Sequence, residues 1–99
     1  MEFTLLFTEE AQKQYDELEQ AKDKQKPFKA VNKALGYLQA NPRHPGLETH
    51  EYTSLKGPGG AKVWEAYAQQ KTPGAYRIFF SYHPPKSKSI TILSIIPHP

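Results

Sequence analysis

The chain has 99 residues, a net charge of +3 and no cysteine. That length suits a single domain over residues 1–99 with one modest core, and the missing thiols exclude a disulfide framework, a thiolate metal site and thiol catalysis. No basic stretch with a long apolar core opens the sequence and no apolar run approaches membrane-spanning length, so the expectation is a soluble, cytoplasmic protein with no membrane partner.

Residues 2–7 alternate weakly, with Phe3, Leu5 and Phe7 on one side, and predict a strand covered on one face and partly on the second. Thr8 is placed to cap a following helix whose first turn carries Glu9 and Glu10, where exposed backbone N–H groups favour negative charge. Ala11, Tyr15, Leu18 and Ala21 then recur at helical spacing to about Lys24. Pro27 starts a second helix with Phe28, Val31, Leu35 and Leu38 as its buried stripe and Ala34 allowing close approach, and Asn41-Pro42 stops it. Both stripes are expected to cover one sheet.

Residues 43–61 read as a long connection, anchored by Leu47, Tyr52 and Leu55 and punctuated by Pro45-Gly46 and Lys56-Gly57-Pro58-Gly59-Gly60. The glycine cluster ending at Lys62 has the wrong spacing for a phosphate-binding loop, with Val63 where a Ser or Thr would bind the metal.

Three strands follow. In residues 63–70 the set Trp64, Ala66, Ala68 alternates with Glu65, Tyr67, Gln69; in residues 76–82 the set Tyr76, Ile78, Phe80, Tyr82 alternates with Arg77, Phe79, Ser81. Matching apolar set to apolar set requires a five-residue connection or a bulge in place of a four-residue turn over 71–74, which brings Arg77 to the side of Gln69, Tyr67 and Glu65. A turn through His83-Pro84-Pro85 leads to a last strand over residues 89–96, apolar on both faces and so either interior to the sheet or paired on one side and covered on the other, with His98 just beyond it.

A lone arginine inside the aromatic run Ala75-Tyr76-Arg77-Ile78-Phe79-Phe80 needs either a carboxylate partner or an anion such as phosphate. Residues 1–55 hold seven Lys and Arg against nine acids, whereas residues 56–99 hold six against Glu65 alone. That asymmetry fits a face that attracts nucleic acid, and equally a cationic edge that keeps a small domain soluble.

The order strand, helix hairpin, loop and three antiparallel strands resembles the RelE/ParE superfamily of bacterial toxins from type II toxin-antitoxin pairs. The likeness spans nearly the whole chain. It rests on Phe7-Thr8-Glu9-Glu10-Ala11, Val63-Trp64-Glu65, Ala75-Tyr76-Arg77-Ile78-Phe79-Phe80 and Ile92-Leu93-Ser94-Ile95-Ile96-Pro97-His98. It implies an α+β fold, RelE-like, with an N-terminal strand, a helix hairpin and three antiparallel strands in a curved sheet, both helices on one face. It also implies a cognate antitoxin as partner and, in RelE, HigB and YoeB-like members, cleavage of mRNA at the ribosome without a cofactor or metal.

Under that resemblance Arg77 matches the family's strand arginine and its fork suits a phosphate, while His98 matches a C-terminal histidine able to act as general acid or base. Glu65 is the third catalytic candidate, as a base or as a group that orients Arg77. Tyr67, Lys71, Gln69, Lys62 and His50 are candidates for substrate contact, Tyr67 by base stacking and Lys71 by phosphate charge; His44 and His83 read as turn residues. RelE itself carries closely spaced lysines on the strand where this chain has Trp64 to Tyr67. That leaves two readings: a HigB- or YoeB-like ribonuclease using Arg77, Glu65 and a histidine, or a binding module, either a ParE-like inhibitor of DNA gyrase or an inert relative. An antitoxin is expected to cover an exposed sheet edge, formed by the first strand or by the Val63 strand.

Overall fold

The computed structural model describes residues 2–98. Five strands form one sheet in the order β1-β5-β4-β3-β2, where β1 is Thr4–Phe7, β2 His50–Lys56, β3 Lys62–Tyr67, β4 Tyr76–Ser81 and β5 Ser89–Pro97. Two helices, α1 (Glu9–Gln20) and α2 (Gln25–Ala40), form the expected hairpin between β1 and β2. Among the described residues only the β1–β5 pair is parallel. Of the two placements its apolar faces allow, β5 takes the interior one, between β1 and β4.

Both helices lie against one face. Leu18 of α1 and Val31, Leu35 and Leu38 of α2 join Ala66, Ile78, Phe80, Ile90, Ile92 and Ile95 in a single core. Thr8 caps α1 as its position predicts, its Oγ1 accepting from the Ala11 N–H at 3.0 Å. The same hydroxyl donates to the Leu93 carbonyl at 3.1 Å, and the Ile95 N–H donates to Gln14 Oε1 at 2.7 Å. β1 stops pairing at Phe7 opposite Ile92, so α1 side chains take over the backbone groups of β5 where the neighbouring strand runs out.

The structure corrects three expectations. α1 ends at Gln20, four residues early, and α2 begins two residues before Pro27 with Lys24 as an N-cap that makes no side-chain bond. The stretch over 43–61 is not only a connection, because it contains β2, which pairs antiparallel with β3. Being on the sheet's rim, β2 buries little and carries an irregularity between Glu51 and Lys56, so no two-residue alternation marks it. Finally, β2 and not β3 is the second sheet edge.

Gly57, at the end of this segment, has a reason to be glycine. A Cβ there would collide with Ser81 Oγ, which donates to the Lys62 carbonyl at 2.7 Å.

Candidate functional site

The site lies on the sheet face opposite the helices, and the β3–β4 register builds it. Tyr67 pairs with Arg77 and Glu65 with Phe79. The N–H groups of Ala68 and Gln69 both donate to the Tyr76 carbonyl, at 3.1 and 3.2 Å. This is the bulge that the binary pattern demands, and it sets Arg77 beside Glu65 and Tyr67. β2 adds His50, which pairs with Glu65, and Tyr52, whose ring meets Phe79 edge-on at 5.0 Å.

Glu65 stands at the centre, buried among these groups. Its Oε1 is 2.8 Å from His50 Nε2 and its Oε2 is 3.6 Å from Arg77 Nε. The guanidinium carbon lies over the Tyr67 ring, 3.9 Å from its centroid, and Nη1 donates to the carbonyls of Gln69 at 3.0 Å and Ala75 at 3.3 Å. Of the two roles the sequence leaves open for Arg77, the structure therefore shows the carboxylate partner. The contact is loose, since 3.6 Å is too long for a hydrogen bond, and buried Nε has no partner. Nη2 takes part in neither carbonyl bond.

His50 is the accessible member of the trio, with its side chain 48% exposed against 10% for Glu65 and 12% for Arg77. Its Nδ1 lies 3.3 Å from the Glu48 carbonyl, and its ring meets Tyr67 edge-on at 5.5 Å. Its two ring nitrogens thus lie beside a carboxylate and a carbonyl. A substrate hydroxyl approaching from solvent would replace the longer contact, at Nδ1. What remains is a carboxylate orienting an imidazole, the arrangement that general acid–base catalysis uses.

The other sequence candidates divide by position. Gln69 is structural on two counts: its carbonyl holds Arg77, and its Oε1 accepts from the Tyr76 N–H at 3.2 Å. Lys71 is exposed in the β3–β4 turn with a left-handed backbone, φ 62°. Lys62 is exposed and 3.9 Å from Glu51, away from the Glu65 cluster. His98 lies beyond β5, where its N–H donates at 2.8 Å to the Ala75 carbonyl that also accepts from Arg77. Strand alternation from Ile96, the partner of Arg77, puts His98 on the face of the site. Pro99 lies outside the described residues.

His44 and His83 lie in turns as expected; His44 stacks on Tyr37 at 3.9 Å and accepts from the Gly46 N–H at 2.9 Å. Among the described residues no three His, Cys, Asp or Glu side chains gather as a metal ion would need, and no helix is long and apolar enough to cross a membrane. Tyr52, which the sequence places as a loop anchor and the resemblance places with His50 in the loop bordering the groove, lies on β2 against Phe79.

No protein-family model matches the chain, and no curated protein does. Among solved structures the chain is similar to the YoeB dimer from Staphylococcus aureus, at 16% sequence identity and a TM-score of 0.63, covering 100% of both chains. The expected RelE-like α+β architecture is therefore present from end to end, with β2 as an additional strand of the sheet.

Proposed function

We propose that this chain is the toxin of a type II toxin-antitoxin pair, cleaving mRNA at the ribosome without a metal ion and held in check by a cognate antitoxin. The full-length likeness in fold supports the toxin, and the 2.8 Å contact between half-exposed His50 and buried Glu65 carries the chemistry.

Cleavage of RNA by its own 2′-hydroxyl needs a base to take that proton, charge to stabilise the phosphoryl oxygens, and an acid to protonate the departing 5′-oxygen. In this reading neutral His50 takes the 2′-proton at Nδ1 while Glu65 orients the ring. The 2′-oxygen then bonds to phosphorus, the phosphorus–5′-oxygen bond breaks, and a 2′,3′-cyclic phosphate remains. Arg77 holds Glu65 in place and turns Nη2 toward the phosphate. His98, on the same face, supplies the proton to the 5′-oxygen.

Expression without an antitoxin, with mapping of mRNA ends, tests this. Wild type should arrest growth and cut mRNA, whereas His50→Ala, Arg77→Ala and His98→Ala should abolish or sharply reduce new ends. A second reading is favoured by the way a carboxylate, two carbonyls and a ring already engage Arg77. There the chain is a non-catalytic binding module, such as a ParE-like inhibitor of DNA gyrase. Growth arrest with intact mRNA and DNA damage would select that reading.

A further inference from the structure

Away from the Glu65 cluster, a cleft of about 530 Å³ opens between the α1–α2 connection and the β3–β4 turn. Lys22, Lys24 and Lys26 line one wall, and Thr72, Pro73 and Gly74 form part of the other. All three lysines are exposed, with only Asp23 among them. Among the described residues none of the three ammonium groups is within ion-pair distance of a carboxylate; Lys24 Nζ makes a long 3.5 Å contact with Tyr76 Oη.

With Asp23 also in the lining, the cleft carries three cations against one carboxylate, a balance that attracts an anion. The tally over the first 55 residues, with its acidic balance, conceals this cluster, because the acids of that half sit largely on α1.

The cleft shares its floor with the candidate site. Gln69 and Tyr76 line it, and these are the residues whose carbonyl holds Arg77 and whose N–H closes the bulge onto the Gln69 side chain. Pro97, also in the lining, precedes His98. A strand crossing the uncovered face and leaving past Gln69 therefore meets the lysines next.

We infer that the Lys22–Lys24–Lys26 cleft is a second anchoring point for the phosphate backbone of the single-stranded RNA engaged at His50 and Arg77. The anchor is electrostatic and indifferent to base sequence; it positions the strand and takes no part in the chemistry. This inference rests on the ribonuclease reading.

The test measures binding of a labelled 2′-O-methyl oligoribonucleotide, whose blocked 2′-oxygen prevents cleavage, by fluorescence anisotropy across a range of salt. Wild type is compared with K22A/K24A/K26A and with K13A/K29A/K33A, which removes equal charge from exposed positions outside the cleft. Far-UV circular dichroism checks that both variants fold. The expected result is an affinity loss of about tenfold or more for the cleft variant at low salt, and a salt-dependence slope lowered by about 2, at roughly 0.7 per phosphate; the control should lose much less.

Equal losses in the two variants overturn the inference and leave the ribonuclease reading standing. If wild type fails to bind the oligoribonucleotide at all, both fall. Preference for duplex DNA over the single strand, lost in the cleft variant, overturns RNA as the occupant.

Discussion

Consecutive residues of β4 meet two unlike surroundings. Ile78 and Phe80 point into the helix-covered layer and are wholly buried, surrounded by aliphatic and aromatic side chains from both helices. Arg77 and Phe79 point the other way, where no element lies over them, yet both are largely shielded. The covered face excludes water with a second layer. The uncovered face does so with side chains packed against one another: Tyr67 against the guanidinium, Tyr52 against Phe79, His50 beside Glu65. A thin lid of this kind buries charge without making it inaccessible, which is the condition a reactive group needs.

Five measurements break or sharpen the contrast. Phe80→Ala should cost the most, about 3–5 kcal/mol in chemical denaturation, because it leaves a cavity in the covered layer. Glu65→Ala should cost about 3 kcal/mol, since it strands the Arg77 charge; an exposed site would lose under about 0.5 kcal/mol, and that outcome would make the shielding unimportant. The pair Glu65→Leu with Arg77→Met should recover most of that loss while abolishing any RNA cleavage, because apolar replacement of a buried ion pair is close to neutral.

Tyr67→Ala should cost about 1–2 kcal/mol through the lost ring beneath the guanidinium, and Tyr67→Phe much less. The smallest effect is at Tyr82, on the rim of the covered face. Burial raises its hydroxyl above the ordinary 10.0, with the charge and hydrogen bond of Arg43 pulling the other way. Protonated Tyr82 is thus favoured by folding, so stability should hold below pH 10 and decline slightly as pH rises through the folded value; a rise there would reverse the sign.

The covered layer was legible in the sequence because helical and strand periodicities both point at it, and the need to match Tyr76, Ile78 and Phe80 with Trp64, Ala66 and Ala68 even required the bulge. The uncovered face was legible only as alternatives. Arg77 announced a partner, but whether Glu65 or a phosphate took that place depended on geometry across two strands. His50 reached Glu65 through β2, a rim strand whose residues are mostly exposed and so follow no apolar pattern. The lysines at 22, 24 and 26 were in plain view, and averaging charge over half the chain hid them.

The sheet's topology bears on when the molecule can become itself. β5 pairs with β1 on one side and β4 on the other, and it is the last of the five strands to be synthesised. Until it emerges, β1 has no neighbour, and Thr8 and Gln14 lack the backbone groups they bind at Leu93 and Ile95. Such long-range closure is slow and follows translation of the whole domain. The strand that completes the sheet is thus also the one that fixes β1 and the entry to α1.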